Sequence, residues 1–333
     1  MSKENEIQKE SETAAEEKES RESRGLKNRL LKFQTARIIV QLVLFVLFNA
    51  AFLGLGPWPV LLPVTGLLGV PSKTVGDALG ALQYMLYLLI PPFLALASMF
   101  AASVLVGRAF CAWACPFGLI QDVLGVMKRR HSTVSPRTHD QMIKVKYVVL
   151  AATLIISGLL ALSVVAGLGK GYKDTLGIFA EAPFNAISPA DTLFAVVPRT
   201  ILDVRHAIPL LFEPGADVAG LITNSITSTQ ALFWARLVVL GLAVALTLYV
   251  PRGWCRYVCP QGAFSAVLMR FSFLGLRRDP VRCGKDCRDC VKACPMLVPI
   301  LDEPWEKFTH PECIMCMKCV DACSTAAIKP KFP

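Results

Sequence analysis

The sequence predicts an all-α polytopic membrane protein with a small α+β domain at its C-terminus. Charged residues make up only 18% of the chain and hydrophobic residues 54%, whereas soluble domains carry about 25% charged residues. Four stretches are long and apolar enough to cross a bilayer, which takes roughly 20 residues. The chain has 12 cysteines, and most of them fall in two closely spaced runs near the C-terminus. These features exclude a soluble enzyme and a small disulfide-rich secreted protein.

The predicted spans are the stretches between charged residues. They lie between Arg37 and Lys73, between Asp77 and Arg108, between Lys146 and Lys170, and from about Ala231 to Val250. Pro91 and Pro92 predict a kink in the second span, because proline lacks an amide donor. Arg236 is the one charge in the fourth span, and we expect its side chain to extend towards the membrane interface.

Lysine and arginine residues predict the orientation, because they are enriched in cytoplasmic loops. Segments 1–37, 107–146 and 251–333 are rich in them, and loops 58–80 and 169–230 are poor. The N-terminus, the C-terminus and all cysteines are therefore predicted on the cytoplasmic side of the cell membrane, where metal and redox roles are commoner than disulfides. The net charge of +10 reflects this topology, and no basic run with interleaved aromatic residues indicates nucleic-acid binding.

Three domains follow from this pattern. Residues 1–36 form a charged cytoplasmic tail, residues 37–275 a four-helix transmembrane domain, and residues 276–333 a cysteine-rich domain. No function is predicted for the tail or for the outer loop 169–230.

The transmembrane domain contains a duplication with an offset of 144 residues. Residues 106–118 (VGRAFCAWACPFG) align with residues 250–262 (VPRGWCRYVCPQG). Each unit is predicted as two spans, a Cys-x3-Cys-Pro motif and an amphipathic helix, in a parallel repeat about an axis along the membrane normal. Proline is favoured in the first turn of a helix, so Cys115 and Cys259 are predicted at helix N-termini, where a thiol pKa falls.

The role of the four motif cysteines stays open on the sequence alone. The redox-active candidates are Cys111, Cys115, Cys255 and Cys259. They could hold a third iron–sulfur cluster, bind a soft metal such as Cu(I), exchange disulfides, or only pack. Arg108 and Arg252 could further favour the thiolate forms, but we interpret them chiefly as interfacial anchors, and Trp113 and Tyr257 as members of an aromatic belt.

The C-terminal cysteines form two runs. They read Cys283-x3-Cys287-x2-Cys290-x3-Cys294-Pro and Cys313-x2-Cys316-x2-Cys319-x3-Cys323-Ser. The second run has the spacing of bacterial ferredoxins, in which the fourth cysteine ligates the other cluster. One [4Fe-4S] cluster is therefore predicted on Cys283, Cys287, Cys290 and Cys323, and the other on Cys313, Cys316, Cys319 and Cys294. Cys283 departs from the ferredoxin spacing, and a pair of structural zinc sites is the alternative.

These motifs together resemble the NapH-type membrane ferredoxins, and the C-terminal parts of NosR and CcoG are similar. The resemblance covers roughly residues 37–333 and rests on the four spans, the duplicated Cys-x3-Cys-Pro motif and the two-cluster module. It implies electron transfer between the quinol/quinone pool, the clusters and partner redox proteins or subunits. If the chain is part of an enzyme, the resemblance implies that it is the quinol-oxidising electron-transfer subunit of an oxidoreductase.

Three functions compete on the residues alone. The first is a membrane-bound electron-transfer protein, the second a cluster-fed copper or thiol–disulfide reductase that uses the motif cysteines, and the third a structural zinc protein. No haem is predicted, because no span holds a histidine and no C-x-x-C-H motif occurs. The four histidines are His131, His139, His206 and His310, all outside the predicted spans.

Overall fold

The computed structural model describes residues 33–48, 56, 58, 60–64, 76–127, 134–176, 179, 183–197, 231–284 and 287–333. Most of the predicted tail, the middle-loop run Lys128-Arg129-Arg130 and the outer-loop residues 198–230 lie outside this set. The described part of the chain is mostly helical, and its C-terminal region adds two strands.

The described part of the N-terminal half is built mainly of helices. They are α1 (Phe33–Phe48), α2 (Ala78–Tyr87), α3 (Phe93–Val106), α4 (Ala109–Trp113), α5 (Pro116–Met127) and α6 (Pro136–Val165). Two short parallel strands, β1 (Leu61–Leu62) and β2 (Gly76–Asp77), precede α2. Asp77 also caps α2, since its side chain accepts the amide of Gly80, which satisfies one of the free N–H groups at the helix start.

The second half repeats the order of the first. After α7 (Gly169–Leu176), α8 (Pro183–Ile187), α9 (Pro189–Asp191) and a π turn (Thr192–Val196) come α10 (Ala231–Tyr249), α11 (Gly253–Tyr257) and α12 (Pro260–Leu268). The short helices α4 and α11 begin and end 144 residues apart, and the helices after them begin at Pro116 and Pro260. Both predicted helix starts are confirmed, and the short helix before each of them recurs at the predicted offset.

Helices of sufficient length match only part of the prediction of four spans. Among the described residues one helix, α6, is long and apolar enough by itself to cross a membrane. The apolar helices α1, α3 and α5 and the segment Phe233–Tyr249 are shorter.

The predicted second span is two helices rather than one kinked helix. Helix α2 ends at Tyr87 and α3 begins at Phe93. Neither Pro91 nor Pro92 offers an amide donor, and Leu89 adopts a left-handed φ of 58°, so the hydrogen-bond ladder stops instead of bending.

The C-terminal domain is a small ferredoxin-like unit. Strands β3 (Gly275–Arg278) and β4 (Ile328–Lys331) pair antiparallel, and the short helices α13 (Asp289–Ala293) and α14 (Lys318–Asp321) pack against each other between them. Its core is continuous with the first repeat, because Cys111 and Ala112 belong to the same buried cluster as Phe308 and Ile314. The domain therefore rests directly on the duplicated motif.

Candidate iron–sulfur sites

Four cysteines from both C-terminal runs surround one small cavity. The thiols in its wall are Cys294, Cys313, Cys316 and Cys319. The rest of the lining is apolar and includes Leu276, Val298 and Phe308, which keeps water away. Burial, together with the nearby thiols of Cys316 and Cys294, raises the pKa of Cys313 to about 12. The structure thus brings together the set predicted for one cluster.

The other predicted set also converges. Burial raises the pKa of Cys290, and the nearby thiols of Cys323, Cys287 and Cys283 add to the rise. Only groups close in space interact in this way. Cys323 accepts the amide of Ala327 at 3.3 Å, the type of hydrogen bond that stabilises a ligating thiolate.

The second run turns through two left-handed residues. Met315 and Met317 have φ values of 51° and 59°, which is uncommon for residues other than glycine. They alternate with the cysteines, and the turns they make allow Cys313, Cys316 and Cys319 to reach the same cavity. Backbone strain of this kind persists where the surrounding structure fixes the loop.

The four cysteines of the duplicated motif gather at the base of the C-terminal domain. Their side chains are 3–8% exposed. Burial raises the pKa of Cys255 well above its usual value, and the thiols of Cys115, Cys259 and Cys111 raise it further. Burial likewise raises the pKa of Cys111. The two repeats therefore contribute two thiols each to one buried group.

Two glycines allow the tight start of the helices behind this group. A Cβ atom on Gly118 would lie 2.7 Å from the carbonyl oxygen of Cys111. A Cβ atom on Gly262, the equivalent position, would lie 3.0 Å from Nη2 of Arg108 and 3.3 Å from the carbonyl oxygen of Cys255. Both repeats thus need glycine so that the helix beginning at the proline can lie close to the short helix before it.

Arg108 and Arg252 are not interfacial anchors, and that interpretation is wrong. Each is 1% exposed. Arg252 forms a bidentate pair with Asp122, with N–O distances of 2.8 and 2.5 Å, and Arg108 contacts Glu312 at 3.1 Å. Arg37 also pairs with Asp122 at 2.9 Å. Because both arginines lie within the electrostatic range of Cys111 and Cys255, they offset negative charge on the thiol group.

The aromatic-belt interpretation is wrong as well. The indole Nε1 of Trp113 donates to the carbonyl oxygen of Met315 at 2.9 Å, and Tyr257 is 1% exposed with its hydroxyl 3.1 Å from Nδ1 of His139. Arg236 does not extend to the interface either, because its guanidinium is buried and donates to the carbonyl oxygen of Ala186 at 2.9 Å. These side chains hold the elements together.

Glu312 joins the C-terminal domain to the repeats. Its carboxylate accepts from Arg108 and Lys146, and from the hydroxyl of Tyr147 at 3.3 Å. The two cations hold the pKa of Glu312 below its ordinary value despite burial. Since Cys313 follows directly, this buried ion pair fixes the start of the second cysteine run.

Gln121 is a functional candidate that the motifs did not reveal. Its Nε2 donates to Sγ of Cys255 at 2.9 Å, and its Oε1 faces the hydroxyl of Thr247 at 3.4 Å. The only sequence signal was its position on α5 beside Asp122, the single acidic residue between Asp77 and Asp140.

Among the described residues, no three His, Cys, Asp or Glu side chains form a site for a single metal ion.

Family models match both cysteine-bearing parts of the chain. A 4Fe-4S binding domain matches residues 88–133 and again residues 232–278, the two copies of the duplicated unit. A 4Fe-4S dicluster domain matches residues 275–324. The duplication and the two-cluster spacing are thus recognised independently of each other.

Three relatives show how far the similarity extends. The protein YccM of Escherichia coli is 25% identical over 80% of this chain and 61% of its own length. The methylamine utilization ferredoxin-type protein MauN of Methylobacillus flagellatus is 25% identical over 72% of this chain and 74% of its own. The ferredoxin-type protein NapH of E. coli is 26% identical over 65% of this chain and 59% of its own.

The resemblance to the NapH-like 4Fe-4S ferredoxin-type proteins is thus confirmed. Both family models that match the chain are 4Fe-4S domains. No solved structure matches it. The chain spans less than two thirds of the length of YccM and of NapH.

Proposed function

We propose that this NapH-like protein is a membrane-bound electron-transfer protein with three iron–sulfur centres on the cytoplasmic side. Two are [4Fe-4S] clusters in the C-terminal domain, and the third is a cluster held by the four motif cysteines. Electrons would pass between these centres and the quinol/quinone pool or a redox partner. Such a chain would serve as the quinol-oxidising part of an oxidoreductase.

The observation that carries the proposal is the shared core of the two cysteine regions. Cys111 lies in the same buried cluster as Cys316 and Cys319. Trp113, two residues after Cys111, donates to the backbone of Met315. Thiols at the membrane edge and thiols in the ferredoxin-like domain are therefore separated by packed protein rather than by solvent.

The exposed apolar side chains support the membrane placement. Helix α6 presents Val148, Ile155 and Leu162, each at least 60% exposed, and α10 presents Val238 and Leu242 in the same way. Contiguous exposed apolar surface of this kind marks a membrane or a protein interface. We place α1, the α2–α3 pair, α6 and α10 in the bilayer, with both termini in the cytoplasm.

The ligand sets follow the convergence of the thiols. Cys283, Cys287, Cys290 and Cys323 would hold one cluster, and Cys294, Cys313, Cys316 and Cys319 the other. A bound [4Fe-4S] cluster supplies one-electron transfer. The protein contributes thiolate ligands, an apolar wall that excludes water, and amide donors such as that of Val298, which donates to Sγ of Cys294 at 3.4 Å.

The four motif cysteines, at the proposed membrane edge, meet the same requirements for holding a cluster. It combines four buried thiols with a side-chain donor from Gln121. Arg108 and Arg252 would offset the charge of four thiolates, which an apolar pocket alone would not tolerate. The equivalence of the two repeats places two ligands on each side of one centre.

Iron analysis of the anaerobically purified chain tests the proposal. We expect about 12 iron atoms per chain, four per cluster. The double variant Cys115→Ser/Cys259→Ser should lose about four of them and keep the C-terminal clusters. Ala112→Ser, which adds a buried hydroxyl to the same motif without removing a thiol, is the matched control and should retain all of them.

Other metal contents would contradict specific parts of the proposal. About eight iron atoms with copper bound at the motif would replace the third cluster by a soft-metal site. A colourless, zinc-loaded chain would remove the electron-transfer function altogether. Reduced quinol added to the protein in liposomes should bleach the visible cluster absorption. No bleaching with quinol, together with bleaching by dithionite, would rule out the quinone pool as donor.

A further inference from the structure

A cleft of about 510 Å³ lies where the repeats meet the C-terminal domain. Its walls come from the end of α5, the turn after α10 and the region of Cys294 to Leu297. The volume is within the range of small-molecule sites, roughly 300–1,000 Å³. Cys294 and Arg252, which the proposed function uses, form part of the wall, but the space between the walls has no role in that function.

The cleft carries an excess of positive charge. Four of the described residues in its wall are cations, namely Arg252, Arg256, Lys292 and Lys318. The described wall includes one carboxylate, Asp122, which is already held by Arg252 and by Arg37. An anion that entered the cleft would therefore meet an excess of cations over carboxylates among the described residues.

One of the four cations, Arg256, is buried in the wall of the cleft. The residue is 1% exposed, and its guanidinium donates to the carbonyl oxygen of Pro295 at 3.3 Å. The guanidinium also contacts Nδ1 of His139 at 3.1 Å, which accepts because arginine can only donate, and it lies 5.0 Å from the centre of the Tyr257 ring. Arg256 forms no ion pair within the described ranges, and a buried cation of this kind favours an anionic partner.

Apolar surface leads directly to the cleft. On α5 the side chains of Val123, Val126 and Met127 are 52%, 81% and 74% exposed, and Val126 is part of the cleft wall. Pro251, which follows α10, forms another part of it. In the proposed orientation the cleft thus opens at the cytoplasmic surface of the bilayer, beside an amphipathic interfacial helix.

We propose that the cleft binds the head group of one anionic phospholipid. The phosphate would face Arg256, Lys292 and Lys318, and the acyl chains would follow the exposed side of α5. Basic pockets at the cytoplasmic ends of membrane helices bind such head groups. The inference rests on the membrane placement in the proposed function, but its binding test does not depend on electron transfer.

The test measures lipid binding to the full iron-loaded chain in a neutral detergent. Short-chain phosphatidylglycerol, short-chain phosphatidylcholine and inorganic phosphate are titrated separately, and the thermal unfolding midpoint is followed, because a ligand of the folded state raises it. We expect phosphatidylglycerol to raise the midpoint at concentrations at which the other two compounds leave it unchanged.

Charge and apolar variants locate the site. Lys292→Gln/Lys318→Gln should weaken phosphatidylglycerol binding about 30-fold, because the attraction of two lysines for the anionic lipid is lost. Lys329→Gln/Lys331→Gln on β4 removes the same charge outside the cleft lining and should leave binding unchanged. Val126→Asp, at a largely exposed position, should weaken binding of the lipid without a change in the midpoint of the lipid-free protein.

Three results would overturn the proposal. Equal stabilisation by phosphatidylcholine would show that the head-group charge is irrelevant. Equal stabilisation by inorganic phosphate, with no loss in Val126→Asp, would assign the cleft to a soluble phosphate compound. Equal weakening in the β4 control would show a general charge effect. The iron content is measured on each variant, so a failure of the cluster assignment is recognised separately.

Discussion

Arg108 and Arg252 occupy equivalent positions in the two repeats, and each donates a hydrogen bond to the first motif cysteine of the other repeat. Nη1 of Arg252 lies 2.9 Å from the carbonyl oxygen of Cys111, and Nη2 of Arg108 lies 3.4 Å from that of Cys255. This exchange closes the interface between the repeats around the four thiols. It also explains why arginine suits this position, because a planar guanidinium presents several donors that reach a carboxylate bidentately and a carbonyl at the same time.

Replacing Arg252 should therefore destabilise the protein strongly. In Arg252→Gln the bidentate pair with Asp122 and the bond to Cys111 are lost, and of the ion pairs described for the largely buried Asp122 the one with Arg37 remains. We expect a loss of about 3–5 kcal/mol in the free energy of unfolding. The thermal unfolding midpoint of the iron-loaded protein in detergent measures it.

Arg282→Gln is the matched control for this variant. Arg282 pairs with Asp279, but both side chains are about half exposed, and exposed ion pairs contribute about 0–1 kcal/mol. A shift in Arg252→Gln no larger than in Arg282→Gln would show that the crossing arginines do not hold the repeats together.

The crossed ligand sets can be tested by pairs of substitutions. If Cys294 serves the cluster of the second run, Cys294→Ser/Cys316→Ser should lose about four iron atoms, because both changes affect the same cluster. Cys294→Ser/Cys290→Ser should lose about eight, because the two cysteines then serve different clusters. Iron analysis of the two double variants decides the assignment. The reverse pattern would mean that each run keeps its own four ligands.

The sequence sufficed to predict features that depend on near neighbours. The helices beginning at Pro116 and Pro260 follow from local patterns, and the structure confirms them. The 4Fe-4S domains that the family models match lie where the cysteine spacings and the repeated motif stand in the sequence. The second-span helix was predicted too long, since the pair Pro91-Pro92 ends the helix instead of bending it.

Partners that lie far apart in the chain could not be predicted. Glu312 follows Arg108 by 204 residues, and no periodicity links the two. Arg236 and Trp113 have the composition of membrane-interface residues, yet buried acceptors in Ala186 and Met315 determine their positions. A charged or amphipathic side chain beside a predicted span is therefore ambiguous until its partner is known.

Gln121 should tune the potential of the membrane-edge centre. Its amide donates to Sγ of Cys255, and a hydrogen bond to a ligating sulfur stabilises the reduced, more negative state. Gln121→Met keeps a side chain of similar length and removes the donor, so we expect a lower midpoint potential of this centre with the iron content unchanged. A redox titration followed by electron paramagnetic resonance measures it.

Thr247→Val separates this effect from packing. It removes the hydroxyl that faces Oε1 of Gln121 but leaves the donor to Cys255 in place, so its shift in potential should be smaller. Equal potentials in the wild-type protein and in Gln121→Met would exclude a tuning role for Gln121.

The Glu312–Lys146 pair should behave as one coupled unit in a double-mutant cycle. Both side chains are buried, and Glu312 also holds Arg108. Lys146→Met removes one of the two cations and leaves Arg108 paired with Glu312. Glu312→Gln instead leaves two buried cations without a carboxylate, and we expect it to lower the free energy of unfolding by about 3–5 kcal/mol. Because Lys146→Met relieves part of that excess charge, the double variant Lys146→Met/Glu312→Gln should be more stable than Glu312→Gln alone. Thermal unfolding of the four proteins measures the coupling, and additive losses would mean that Glu312 and Lys146 stabilise the domain contact independently.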